Sequence, residues 1–249
     1  MAERRMAVSL SKGGTGKSTT LAALAHGLSM AGHTVLAIDT DTQGQIAEIL
    51  GVEAQAGLAE LMAGEVNAEA ALTPARDRLW ILAGGRRLAS TKQLIAQQEY
   101  GSEFMMSRVL EPYAGRFDYV LVDTSPGWDV LTINVLFYVT ELIVPIALEV
   151  LAVRGLIQFE QRVADIQNHN PELSMRYVLP TFMDGRVRKS QEILKQLRSY
   201  YGERLCRPIR YNVRLSEAPG YGQTIFEYAA RSKGAADYAA LVERIRKDG

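Results

Sequence analysis

One cysteine, Cys206, stands among 249 residues. A lone thiol closes no internal disulfide and builds no thiolate metal cage by itself. This excludes a disulfide-stapled scaffold and fits a small packing residue in a reducing cytoplasm. Net charge is missing as well, because 28 Lys plus Arg balance 28 Asp plus Glu. Any hold on a polyanion must then come from a local patch and not from a global field. Long apolar runs are also lacking. The stretch near Val130–Val153 is broken by Asn134, Glu141, Pro145 and Glu149, short of the ~20 residues of a spanning helix. Near the amino end, Glu3, Arg4 and Arg5 precede only a strand's length of apolar residues, too little for a secretory signal. Histidines are few: His26, His33 and His169 show no ligand spacing and read as structural or surface residues.

What is present is an ordinary globular composition, 47% hydrophobic and 22% charged. Met6–Leu10, Thr34–Ile38, Leu79–Leu82, Tyr119–Val122, Leu142–Ile146 and Arg176–Leu179 are short runs rich in Val, Ile and Leu. They do not alternate with polar residues, as expected for strands covered on both faces. Between them lie helical patterns at Thr19–Ala31, Leu58–Met62, Thr91–Gln98, Glu103–Leu110, Leu131–Thr140, Ala152–Asn168, Lys189–Tyr201 and Ala235–Lys247. In the first, Leu21, Leu24, Ala25 and Leu28 form one face and Gly32 supplies the cap. This rhythm predicts an α/β fold with a doubly wound, mostly parallel sheet and helices on both faces. With no repeat or Pro/Ser-rich linker, residues 1–249 read as one domain.

The chemistry concentrates where strands end. Ser11-Lys12-Gly13-Gly14-Thr15-Gly16-Lys17-Ser18-Thr19 lies between the first strand and the first helix. That is the context of a P-loop, whose curled backbone turns its N–H groups onto phosphate oxygens. Residues Lys12 to Thr19 are the expected nucleotide-binding loop. Lys17 would meet the β- and γ-phosphates, and Ser18 would offer its hydroxyl to Mg²⁺. The ordinary motif has glycine where Ser11 stands, and a second lysine, Lys12, follows it. Lys12 either points to water or serves a triphosphate, even that of a neighbouring subunit. The second strand ends in Asp39-Thr40-Asp41-Thr42-Gln43-Gly44. On extended backbone Asp39 and Asp41 would share a face, one ordering a Mg²⁺-bound water and the other an attacking water. Phe117–Asp123 is a buried strand ending in an acid, so Asp123 is expected to hold Mg²⁺. Thr124-Ser125-Pro126-Gly127 then makes a turn suited to a switch.

The leading lysine of Lys12-Gly-Gly-Thr-Gly-Lys-Ser-Thr19 resembles the deviant Walker A ATPases, in particular the ParA/Soj group that partitions plasmids and chromosomes. Asp39–Gly44 is similar to that group's D-x-D-P-Q-G, with Thr42 in place of proline. Asp123-Thr-Ser-Pro-Gly127, Asn212–Pro219 and Arg231–Ala235 extend the likeness over nearly the whole chain, although Arg210-Tyr211 stands where the group often has Pro-Arg. The resemblance implies an ATP hydrolase that uses ATP and Mg²⁺. Lys12, Lys17 and Asp41 would be catalytic, Asp41 positioning the water, and Ser18, Asp39 and Asp123 would serve the metal. It also implies an ATP-state homodimer in which each Lys12 reaches the other's phosphates, and which binds double-stranded DNA without regard to sequence. A ParB-like adaptor would stimulate slow hydrolysis on the cytoplasmic nucleoid. The alternative is a ParA-like ATPase that positions another cargo, such as a carboxysome or a chemotaxis cluster.

DNA contacts are expected among the basic residues of the carboxy-terminal third, with Arg214 first and Arg188, Lys189 and Arg210 beside it. A nitrogenase iron-protein function would need two cysteines per subunit for a shared cluster. A membrane-cycling ATPase of the MinD type would need a bulky amphipathic tail, and Glu243–Gly249 offers little apolar surface, so no membrane partner is expected.

Overall fold

Seven strands form one sheet in the computed structural model, which describes residues 2–249 apart from the side chains of residues 150 and 151. The strands are β1 (Arg4–Val8), β2 (Val35–Asp39), β3 (Thr73–Arg76), β4 (Leu79–Leu82), β5 (Tyr119–Asp123), β6 (Glu141–Ala147) and β7 (Ser174–Thr181). Their order is β3-β4-β2-β5-β1-β6-β7, and every pair is parallel except β3 with β4. The helices are α1 (Lys17–Met30), α2 (Gln45–Leu50), α3 (Leu58–Met62), α4 (Ala68–Ala71), α5 (Leu88–Ala96), α6 (Met105–Leu110), α7 (Val130–Tyr138), α8 (Val150–Gln167), α9 (Arg188–Tyr201), α10 (Val213–Glu217), α11 (Ile225–Tyr228) and α12 (Lys233–Lys247).

The non-alternating strand sequences follow from burial on both sides. In β5, Tyr119 and Leu121 face a layer containing α1, α2 and α12, while Val120 and Val122 face the layer of α3 and α5 to α9. Every residue of β2 and β5 is buried, so each position of the pleat before the closing Asp39 and Asp123 takes an apolar side chain or the Tyr119 ring. Helix α1 is wedged between the sheet and α12 and is buried on most of its surface. It ends as its sequence predicts. Gly32 takes φ +93°, its amide bonds Ser29 at 2.9 Å, and the amide of His33 bonds Leu28 at 3.2 Å. That paired closure requires the left-handed conformation glycine adopts without penalty.

The strands expected from sequence are present with ends shifted by two residues at most, and Leu79–Leu82 is unchanged. β1 starts at Arg4 because this cation is buried against Glu141, with Nη2 to Oε2 at 2.6 Å. β3 escapes sequence reading because Thr73-Pro74-Ala75-Arg76 carries a proline and a register shift. Both are tolerated on an edge strand. Helices α2, α4, α10 and α11 have four to six residues each, too few to display a 3.6-residue period.

The expected shared face of Asp39 and Asp41 does not form. β2 stops at Asp39, whose Oδ1 accepts the Asp41 amide at 2.8 Å, and the chain turns there. The Gly44 amide closes the turn onto the Asp41 carbonyl at 3.1 Å. A carboxylate that can bind the amide two residues on bends the backbone more readily than it extends it.

Candidate nucleotide site

The central strand β1 lies between β5 and β6, and its carboxyl end opens into the glycine-rich loop. Open α/β sheets bind ligands at that edge. Gly14 and Gly16 have φ of +70° and +86°, values that let the loop curl and then enter α1 at Lys17. A cavity of about 470 Å³ spreads over this edge, and Gly13, Gly14, Lys17, Ser18, Asp41 and Pro126 line it. Thr19 also lines it, whereas Thr15 is turned inward, with its carbonyl accepting the Thr181 hydroxyl at 3.0 Å.

Lys17 is almost fully buried and donates from Nζ to the Lys12 carbonyl at 3.1 Å. Burial holds its pKa below the ordinary lysine value, against the pull of Asp123 and Asp41. A desolvated cation of this kind is strongly drawn to an arriving phosphate.

Asp39 and Asp123 pair across β2 and β5 at the head of the sheet, both without solvent exposure. Their environments differ. Asp39 spends its two oxygens on the amides of Asp41 and Ile46, at 2.8 and 3.0 Å. It thereby pins the Asp41 turn and the first turn of α2. Burial still raises its pKa to about 6, against those two hydrogen bonds and with the Asp41 charge adding to the rise. Neither oxygen of Asp123 has a hydrogen-bond partner among the described residues. Burial first, and then the charge of Asp39, push its pKa well above the carboxylate range, while Ser18 and Lys17 oppose the shift. Two orphaned carboxylate oxygens beside a serine hydroxyl are a donor set that suits Mg²⁺. By this test Ser18 and Asp123 fit the metal, and Asp39 fits a supporting place. Asp41 is only part-buried and lines the cavity, with Oδ1 accepting the Gln43 amide at 3.0 Å.

Lys12 does not line this cavity. It faces a second one of about 580 Å³, together with Glu149, Phe182, Asp184 and Lys189. The two P-loop lysines therefore line different cavities.

The residues expected to meet DNA do not gather at one point. Arg188 and Lys189 open α9, Arg188 paired with Glu192 at 3.0 Å and Lys189 lining the second cavity. Arg214 on α10 is exposed and bonds Glu217 at 3.1 Å. Arg210 stands apart, because its Nε and Nη2 grip the buried Asp237 at 2.8 and 2.7 Å. Its guanidinium fork is engaged in holding α12.

Sequence reading missed two parts of the site. Gly84 follows β4, and a Cβ there would come within 2.7 Å of both the Asp39 carboxyl carbon and the Asp41 carbonyl oxygen. The only signal was the Gly84-Gly85 pair after a strand. Phe182, at φ +54°, lines both loop cavities and a third of about 180 Å³ with Gly16, Thr181, Tyr211, Asn212 and Leu215. Nothing in its type marks a phenylalanine for left-handed backbone.

The family model described as an AAA domain matches residues 3–175. The chromosome-partitioning ATPase Soj of Treponema pallidum is 32% identical over 96% of this chain and 95% of its own length. Soj of Thermus thermophilus is 33% identical over 97% and 95%. The chain belongs to the ParA/Soj family of P-loop ATPases. A solved structure titled cobyrinic acid a,c-diamide synthase from Mycobacterium smegmatis, with bound ATP analog and magnesium, superposes on this ParA-like chain with a TM-score of 0.85. It is 29% identical and covers 99% of this chain and 95% of its own. The single thiol of the ParA-like chain offers no nucleophile for group transfer. Burial pushes Cys206 up to about 11, where it stays protonated at neutral pH.

Proposed function

We propose that this chain hydrolyses ATP as a switch, and that its ATP form pairs two copies face to face and binds DNA without sequence preference. The observation that carries this reading is the direction of Lys12. Lys17 lines the cavity of the chain's own phosphate loop, whereas Lys12 lines the second cavity beside it. A second cation held outside its own site is placed to complete the site of another copy.

In this reading the loop amides and Lys17 bind the phosphates, and Asp41 orients the attacking water. Ser18 and Asp123 would hold Mg²⁺, which would supply positive charge to the phosphates. Asp39 sets the Asp41 turn and fixes the direction of that carboxylate. The pocket of about 180 Å³ beside Gly16 receives the base against Phe182 and Tyr211. Arg214, Arg188 and Lys189 are the phosphate contacts for DNA, and Arg210 supports them through Asp237. Pairing two copies doubles a modest basic patch on a chain with no net charge, so DNA affinity follows the nucleotide state. A ParB-like adaptor that accelerates hydrolysis would release subunits from the nucleoid.

The test is binding to long duplex DNA with no nucleotide, with ADP and with ATP. Tight binding only with ATP is expected, and Arg214→Ala should weaken it and lower the salt slope by about 1 per chain while ATP still binds. Equal binding in all three states would remove the switch.

A further inference from the structure

Lys12 is held at both ends in the single chain. Its carbonyl accepts the Lys17 ammonium at 3.1 Å, and its own ammonium lies 3.0 Å from Oε2 of Glu149. Glu149 occupies the N-cap position of α8, yet its side chain makes no cap hydrogen bond among the described residues. The carboxylate is turned onto the lysine, while the Glu149 carbonyl accepts the amides of Ala152 and Val153 at 3.0 and 3.4 Å. The other acid lining this cavity is committed elsewhere, because both oxygens of Asp184 bond Arg186 at 2.8 to 3.0 Å. Glu149 is therefore the carboxylate left for Lys12.

We propose that Glu149 is a latch on Lys12, a positioning residue that keeps this lysine in its own chain and sets the nucleotide level at which two chains pair. The inference rests on the dimer reading above. For Lys12 to reach a second copy, its bond to Glu149 must break, so every pairing event carries that cost twice, once per chain. The two side chains are 38% and 67% exposed, and an ion pair this open is weak. Weakness suits a latch, since a buried pair would block assembly outright. The grip on the Lys12 carbonyl links the latch to the phosphate site. The Lys17 ammonium that binds this carbonyl is the group an arriving phosphate attracts, so nucleotide entry releases the backbone end of Lys12 first.

The experiment compares wild type with Glu149→Gln, which keeps the shape and removes the charge. Sedimentation is followed against a slowly hydrolysed ATP analogue. Half-maximal dimer should need about two- to fivefold less nucleotide in the variant, and the gap should shrink as salt rises and screens the pair. An unchanged or raised requirement overturns the latch, a raised one meaning that Glu149 helps to hold the dimer. A second measurement reads the pair without assembly. Urea unfolding of Lys12→Ala, Glu149→Gln and the double variant, all without nucleotide, should be non-additive, and additivity also overturns the latch. If Asp41→Ala and wild type both stay monomeric at saturating nucleotide, the dimer reading fails and the latch falls with it. If they dimerise and Glu149→Gln shifts nothing, only the latch fails.

Discussion

Two buried carboxylates face each other at the head of the sheet, and their difference decides what each can do. Asp39 is satisfied by two backbone amides, while Asp123 has no partner among the described residues. The burden of apo folding therefore falls on Asp123. Its folded pKa lies above the ordinary value of 3.8. A raised acid of this kind favours the fold at low pH and loses that contribution as pH climbs past the carboxylate range. The penalty on the ligand-free chain therefore grows as pH rises through that raised pKa. Asp123→Asn should then stabilise the ligand-free chain at pH 8 by on the order of 1 kcal/mol, about 2–4 °C in Tm for a chain of this size. The same variant should lose most of the extra Tm that Mg²⁺ with nucleotide gives the wild type. A lower Tm for ligand-free Asp123→Asn, read by calorimetry, would contradict this account. Asp123 was legible because an apolar run ending in an acid downstream of a P-loop is a readable pattern. The role of Asp39 was not, since residue spacing says nothing about a side chain folding back onto its own backbone.

Among elements, the ends matter more than the middles. α12 is joined to the segment before α10 by Arg210 and Asp237, with the acid fully buried and both its oxygens taken. Breaking a pair around a buried charge costs ~3–5 kcal/mol, less where one partner is part-exposed as here. Arg210→Ala should lower the urea midpoint by the equivalent of about 2–3 kcal/mol, and Arg214→Ala should stay within about 0.5 kcal/mol. Equal stability of the two variants would return Arg210 to the surface set. Their sequence contexts are alike, two arginines four residues apart, so only the buried partner 27 residues on separates them. Long elements such as α1, α9 and α12 could be read from their periodicity. β3 and the short helices could not, because their placement depends on neighbours: β3 on the free edge beside β4, α2 on the amide clamp of Asp39.

At the scale of the whole molecule, the order of strands places β1, β2 and β5 side by side, so three motifs spread over more than a hundred residues meet at one edge. The fold class and this convergence could be foreseen, since a strand–loop–helix with two further acid-ended strands has few ways to close. The split of the two loop lysines between different cavities was foreseen only through the resemblance, and its physical cause, Glu149 and the depth of Lys17, has no sequence signal. That split is the basis for reading the site as one completed by a second copy. Its most direct test is sedimentation with saturating ATP and Mg²⁺ of Asp41→Ala and of Asp41→Ala combined with Lys12→Ala, with ATP binding verified for both. The account predicts a stable dimer for the first and a nucleotide-bound monomer for the second. A monomeric Asp41→Ala chain, or a dimer that survives the loss of Lys12, would contradict it.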